Sequence, residues 1–398
     1  MEYRHFGNTG FRPSALGFGC MRLPQLPGEE GGIDEPEATR MIRYAIDQGL
    51  NYIDTAWSYH GGQSEVVLGR VLQDGYREKV ALATKMPSWL IEKSEDFEHY
   101  FSIQLERLQT DHIDFYLLHT LNQGHWDNYL KFNLFDWAEK QLADGRIRHL
   151  GFSFHDELPV FETILKGYDH WDFCQIQYNY MDTDYQAGER GLKMAAERGL
   201  GVVVMEPLKG GRLAIEKPPA PVKAVFDRAE TPRKPAEWAL QWLWNQPEVG
   251  LVLSGMSTFE QVELNLASAS RSGVGSLSAE EVTIIEDARD AWEGLAPVAC
   301  THCEYCLPCP NDVLIPKIFE IYNNSVMYDI QERGRRSYQN QISEGSRADA
   351  CIECGTCEDL CPQHLTIIDY LRCTPAVSGL HLTIIDYLKD AHAYLSER

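Results

Sequence analysis

The chain has 398 residues, with 36 Lys plus Arg against 59 Asp plus Glu and a formal net charge of −23. A hydrophobic fraction of 44% and a charged fraction of 24% are those of a folded globular protein, which excludes global disorder. The deficit of Lys and Arg leaves little to neutralise a phosphate backbone, and no run of about 18 apolar residues offers a bilayer span, so neither nucleic acid nor membrane is an expected partner. The opening Met1-Glu2-Tyr3-Arg4-His5-Phe6 has no apolar signal-peptide core, so the expected compartment is the cytoplasm.

Tyr3–Phe6 and Arg12–Ser14 flank Asn8-Thr9-Gly10, which predicts an N-terminal hairpin plugging one end of the fold. Short apolar runs then alternate with longer amphipathic stretches. The predicted strand–helix pairs are Ala15–Phe18 with Glu35–Gln48, Tyr52–Asp54 with Ser64–Leu72, Val80–Lys85 with Phe97–Leu108, and Ile113–Leu118 with Tyr129–Asp144. They continue as His149–Ser153 with Leu158–Lys166, Phe173–Ile176 with Glu189–Arg198, Gly201–Met205 with Ala236–Asn245, and Val249–Leu253 with Phe259–Ser270. Eight βα units in about 255 residues suit a (β/α)₈ barrel. A doubly wound open sheet is the competing architecture. Its dinucleotide fingerprint would follow the first strand, but Gly17-Phe18-Gly19-Cys20-Met21-Arg22 lacks the third glycine. Loops rich in Gly and Pro, Pro24–Gly32 and Pro207–Pro235, follow the first and seventh strands, on the barrel face where active sites are built.

Four chemically able side chains fall at or just past strand ends: Asp54, Tyr59, Lys85 and His119. The set suits carbonyl reduction. Hydride reaching the carbonyl carbon leaves charge on oxygen, and a phenol can supply the proton if its pKa, ordinarily about 10, is tuned. A nearby ammonium lowers it, a carboxylate holds the ammonium, and an imidazole can orient the carbonyl oxygen. Each residue alone has a plain structural explanation: a turn cap, a solvated strand end, a packed histidine. Trp57, Trp89, Trp126 and Tyr180 fall after strands two, three, four and six and are candidate pocket walls.

Asn51-Tyr52-Ile53-Asp54-Thr55-Ala56-Trp57-Ser58-Tyr59, Thr84-Lys85 and Leu117-Leu118-His119 together resemble the catalytic tetrad of the aldo-keto reductases. The likeness runs from about Tyr3 to Ser270. It implies an NAD(P)H-binding barrel without a Rossmann motif, Tyr59 as general acid, Lys85 and Asp54 as its tuners, and His119 as carbonyl orienter. It also implies that Ser153 and Gln175 hold the nicotinamide carboxamide, with Phe154 standing where the family usually has Asn. Met205-Glu206-Pro207-Leu208 and Gly210 resemble the segment beneath nicotinamide and pyrophosphate. Met205 takes a place often held by an aromatic ring, whose face it can also pack. Ser254, Gly255, Gln261 and Asn265 resemble the adenosine end. Family members that use NADPH often carry Lys and Arg where Gly255 and Gln261 stand, which implies a weakened NADPH preference with NADH admitted.

Cysteine placement divides the chain. Of eleven Cys, only Cys20 and Cys174 precede residue 300. Cys20 could line the pocket, though simple packing explains it, and Cys174 is expected in the core. Cys300-x₂-Cys303-x₂-Cys306-x₂-Cys309-Pro310 is followed, after a 41-residue insert, by Cys351-x₂-Cys354-x₂-Cys357-x₃-Cys361-Pro362. A reduced compartment and this clustering exclude a disulfide framework, and zinc sites favour paired CxxC motifs over two such groups. The second group has the four-iron ferredoxin spacing, and the first is one residue short before Cys309. The tail resembles a two-cluster ferredoxin module of helical type. By that pattern Cys300, Cys303, Cys306 and Cys361 hold one [4Fe-4S] cluster, and Cys351, Cys354, Cys357 and Cys309 the other. The expected organisation is a barrel at 1–275, a connecting helix and linker at 276–297, the two-cluster domain at 298–372 and a tail at 373–398. His364–Leu371 recurs as His381–Leu388, a tandem duplication or an error in the recorded sequence.

Barrel and tail together resemble the ferredoxin-linked aldo/keto reductases of anaerobic microbes. The implied function is NAD(P)H-dependent reduction of an aldehyde, ketone or sugar carbonyl, or the reverse. Nicotinamides move electron pairs while each cluster moves one electron, and no flavin motif is recognisable to join them. The clusters could therefore exchange electrons with a partner protein, brace the barrel mouth or sense redox state. The alternative reading is a redox-sensing or regulatory iron–sulfur subunit with little turnover of its own.

Overall fold

A computed structural model describes residues 1–26, 28 and 32–373, so the second copy of the repeat, at 381–388, lies outside the described residues. Eight parallel strands close into one barrel in sequence order: β1 Leu16–Gly19, β2 Tyr52–Asp54, β3 Ala81–Met86, β4 Ile113–Leu121, β5 Ile147–Phe154, β6 Phe173–Gln177, β7 Gly201–Met205 and β8 Leu251–Ser254. β8 pairs back onto β1, with Leu16 opposite Val252 and Phe18 opposite Ser254. The helices interleaved with these strands and following them are α1 Glu35–Asp47, α2 Gln63–Val71, α3 Glu95–Leu108, α4 Gln123–Lys131, α5 Leu134–Ala143, α6 Leu158–Gly167, α7 Gly188–Glu197, α8 Ala220–Phe226, α9 Pro235–Trp244, α10 Phe259–Ala269 and α11 Ala279–Glu293. One expectation fails. The single helix predicted over Tyr129–Asp144 is two, because Asn133 takes a left-handed φ of 54° between α4 and α5. Asn tolerates that conformation better than most residues, so it can break a helix without glycine.

The strands are buried on both faces, as parallel strands covered by helices must be. Inward residues fill the barrel: Phe6, Tyr52, Ala81, Ala83, Phe115, Leu117, Phe173, Val203, Leu251 and Leu253. Outward residues such as Ile53, Leu82, Tyr116, Leu118, Cys174 and Val204 pack in a separate core under the helices. The N-terminal hairpin has one antiparallel bridge, Tyr3 to Ser14, and sends Phe6 into the barrel floor against Phe115 and Phe173, with centroids 5.6 and 6.2 Å away. Gly201 and Gly250 are needed there, since a Cβ on either would stand 2.7 or 2.5 Å from the Phe6 ring. Arg4 ties the plug down by donating to the carbonyls of Trp244, Gln246 and Val249.

The chain divides into two compact units, 1–219 with 226–286, and 220–225 with 287 onward. The second contains α12 Ile315–Met327, α13 Gln331–Gln341, α14 Thr356–Asp359 and α15 Ile367–Cys373. Its own core is built on Val298, Val313, Ile318, Phe319, Tyr338, Ile342, Ile367 and Leu371. The first copy of the repeat, at 364–371, therefore supplies core residues through α15. Among the described residues no helix is long and apolar enough to cross a membrane.

Candidate active site and cysteine centre

The period of two along a strand builds the site. In β2, β3 and β4, Tyr52, Ala83 and Leu117 point into the barrel, so two residues later Asp54, Lys85 and His119 point to the same axis, one layer nearer the C-terminal face. Tyr59 enters from the turn after β2. Lys85 is wholly buried, and its ammonium donates to Asp54 Oδ1 at 2.7 Å, Thr55 O at 2.8 Å and Tyr59 Oη at 3.3 Å. All three of its protons have acceptors. The Tyr59 and His119 rings stand edge to face, with centroids 6.1 Å apart.

Burial works to lower the Lys85 pKa, but the Asp54 charge, the Tyr59 oxygen and hydrogen bonds to both more than offset it, and the ammonium is held above its ordinary value. Burial likewise lifts the Asp54 carboxyl, with Lys85 opposing. For Tyr59 the outcome differs from the expectation. Lys85 pulls the phenol down, but burial pushes harder and the net direction is upward. Burial, then the neighbouring charge of Lys85 and the nearby imidazoles of His155 and His125, drive His119 well below the usual histidine value, so its ring is neutral.

Asp54, Tyr59 and His119 line one cleft of about 1270 Å³, with Lys85 beneath them. Ser153, Gln175, Met205, Glu206, Leu208, Gly210, Ser254, Gly255, Gln261 and Asn265 all line the same cleft. Ser153 Oγ accepts from the Thr120 N–H at 2.8 Å, and Gln175 Nε2 faces Met205 Sδ at 3.4 Å. Buried Asp54 Oδ2, His119 Nδ1 and Gln175 Oε1 have no protein partner. Phe154 turns away to pack on Phe161, with centroids 5.0 Å apart, so it has no place in the cleft wall. Of the four candidate aromatic walls only Trp89 lines the cleft, 5.2 Å from the His119 ring. Trp57 is taken by Tyr100 and by the Arg107 guanidinium 3.8 Å over its face. Trp126 is buried within α4 and Tyr180 is buried outside the lining. Cys20 and Cys174 are packed in the core.

The sequence pattern missed several groups. His60 and His155 line the cleft, and His60 Nε2 accepts from the Leu23 N–H at 3.1 Å. Glu65 lies behind the tetrad, fully buried, and accepts from Thr84 Oγ1 at 2.6 Å, Gln104 Nε2 at 2.7 Å and Arg107 at 3.1 Å. The same Gln104 amide donates to the Lys85 carbonyl at 2.9 Å.

Residues 15–290 match the family model described as the aldo/keto reductase family. The chain belongs to that family. An uncharacterized oxidoreductase of Bacillus subtilis, YrpG, is 28% identical over 305 residues, 66% of this chain and 89% of that protein. L-galactose dehydrogenase of Arabidopsis thaliana is 28% identical over 303 residues, 72% of this chain and 93% of that protein. The solved holo form of aldo-keto reductase AKR11C1 from Bacillus halodurans superposes with a TM-score of 0.61, at 28% identity, covering 72% of this chain and 96% of that one. In this chain the aldo/keto reductase barrel is joined to further sequence, and residues 299–366 match a 4Fe-4S dicluster domain model.

The second unit repeats one backbone design twice. His302 and Glu304 in the first cysteine loop, and Glu353 and Gly355 in the second, have φ of 56°, 60°, 58° and 78° at matching positions. Asp312 and His364, each three residues past the fourth cysteine, have φ of 56° and 53°, and their N–H groups return to the Cys309 and Cys361 carbonyls. Cys300, Cys303, Cys306 and Cys361 line one small cavity, walled by Ile315, Pro316, Phe319, Leu365 and Ile367. The Glu353 N–H donates to Cys351 Sγ at 3.4 Å. Four thiols around one small cavity, with a backbone N–H on sulfur in the second loop, are the donor type that iron–sulfur clusters use.

Proposed function

We propose that the protein is an NAD(P)H-dependent oxidoreductase that interconverts a small carbonyl compound and its alcohol, with a C-terminal unit holding two [4Fe-4S] clusters. The observation that carries the reading is the Lys85 ammonium, bonded at once to Asp54 and Tyr59 at the floor of a cleft that His119 also lines. A bound nicotinamide would supply the hydride. The unpartnered Gln175 Oε1 and the adjacent Ser153 and Met205 fit its carboxamide and ring.

Tyr59 then gives its proton to the carbonyl oxygen, and Lys85 stabilises the phenolate left behind. Asp54 keeps the ammonium charged and fixed. His119, neutral at physiological pH, donates an N–H to the same oxygen without changing protonation state. Carbonyl selection falls to Trp89, His60, His155 and Thr120, which form the cleft wall near Tyr59 and His119.

In the second unit, Cys300, Cys303, Cys306 and Cys361 would hold one cluster and Cys351, Cys354, Cys357 and Cys309 the other. Bound clusters would supply one-electron transfer.

The deciding experiment is reduction of an aldehyde and ketone panel by wild type and Tyr59→Phe. The variant should lose about 10²- to 10⁴-fold in kcat while still binding nucleotide. Unchanged turnover would refute Tyr59 as the acid. No turnover by wild type on any substrate would favour the sensing or regulatory reading.

A further inference from the structure

The hydride-donating ring has to reach Tyr59 and His119, so the far half of an extended dinucleotide must take the arm of the cleft that leads away from them. The cleft lining beyond the strand ends comes from Ser254–Gly255, from one side of α10 with Arg271 just past it, and from the end of the preceding loop and first turn of α9. Its charged lining is three carboxylates and two cations: Glu216, Glu237, Glu260, Lys234 and Arg271. Both cations are engaged. Lys234 Nζ stands 3.7 Å from Glu216 and 3.7 Å from Glu260, and Arg271 donates to Glu237 at 2.8 Å. Arg22, the remaining cation of the lining, pairs with Glu206 at 3.2 Å. Gln261 offers no charge, and its side-chain carbonyl is occupied by the Ser257 N–H at 2.8 Å.

We propose that this arm selects NADH over NADPH, with Glu260 as the discriminating residue. The proposal rests on the dinucleotide reading of the cleft. A 2′-phosphate brings a charge of about −1.5 to −2 at neutral pH. Here it meets a wall with more carboxylates than cations, whose cations Lys234 and Arg271 already stand beside carboxylates. A free ribose diol is neutral and donates hydrogen bonds. A carboxylate such as Glu260 can accept them, as acidic residues do for NAD in unrelated dinucleotide folds. Glu260 is mostly solvent-exposed, so its effect on a phosphate is repulsion through water and is weakened by salt.

The test is equilibrium binding of NADH and NADPH to the intact chain, monitored by quenching of tryptophan fluorescence at low and high salt. NADH should bind at least about tenfold more tightly at low salt, and the ratio should narrow as salt is raised. Glu260→Gln should narrow it several-fold, by strengthening NADPH, and Glu260→Gln with Gln261→Arg should narrow it further. Equal or tighter binding of NADPH to wild type would overturn the proposal. So would a ratio indifferent to Glu260→Gln, which removes a charge from an exposed side chain without threatening the fold. Binding of neither nucleotide would instead overturn the dinucleotide reading beneath it.

Discussion

Two opposed environments set the chemistry at Tyr59. Its hydroxyl accepts a bond from the Lys85 ammonium, yet burial at the cleft floor prevails and the phenol stays protonated well past neutrality. In the proposed mechanism such a Tyr59 is loaded to give a proton, and the pull of Lys85 acts when the charge forms rather than before. His119 is held in the opposite sense, neutral down through the usual histidine range. Neither group changes charge near neutrality, so kcat for carbonyl reduction should be flat from about pH 6.5 to about 9 and fall only above that as Tyr59 ionises. A pH–rate profile with a limb centred near 6.5 would mean that His119 titrates normally and contradict its burial as the controlling influence. The same burial carries a stability consequence. The His119 pKa is lower folded than unfolded, so its contribution is whole above about pH 6.5 and is lost as the pH falls from there toward the folded value.

At the scale of elements, the strands deliver the candidate catalytic set and the helices behind them pack against it. Asp54, Lys85 and His119 were legible because each falls at or just past the end of a short apolar run, and a barrel turns strand ends into neighbours. Glu65 was not legible. A charged residue in an amphipathic helix reads as solvent-facing, and only partners from β3 and α3, Thr84, Gln104 and Arg107, make it a buried one. Those partners are 19 to 42 residues away, and nothing local to α2 announces them. Trp126 was misplaced for a related reason: α4 begins at Gln123, directly after β4, and carries the ring into the outer core. Glu65→Ala would take the carboxylate from Arg107 and the acceptor from Thr84 Oγ1, so it should cost about 2–4 kcal/mol of barrel stability. Glu65→Gln, which keeps acceptors for Thr84 and Gln104, should cost distinctly less. Urea unfolding of both variants gives the comparison, and equal, small losses would show that Glu65 does not organise the back of the site.

At the scale of the whole molecule, one chain joins an aldo/keto reductase barrel to a unit that matches a 4Fe-4S dicluster domain, which on the proposed reading pairs two-electron with one-electron chemistry. The second unit is itself doubled: two cysteine loops with left-handed residues at the same positions, each closed by a Cys-Pro turn that leads into a helix, α12 or α15. In such a doubled design each loop can close on the other's fourth cysteine. The cavity shared by Cys300, Cys303, Cys306 and Cys361 has that crossed arrangement, since 55 residues separate Cys306 from Cys361. Single substitutions cannot test the crossing, but pairs can. Anaerobically purified wild type should hold about eight irons per chain, in a broad band near 400 nm bleached by dithionite. Cys303→Ser with Cys361→Ser attacks one cluster twice and should leave about four irons. Cys354→Ser with Cys361→Ser attacks both clusters and should leave almost none. If the fourth cysteines instead served their own loops, the two double variants would exchange outcomes. The pair therefore reads the wiring directly, and it does so whichever substrate the barrel turns over.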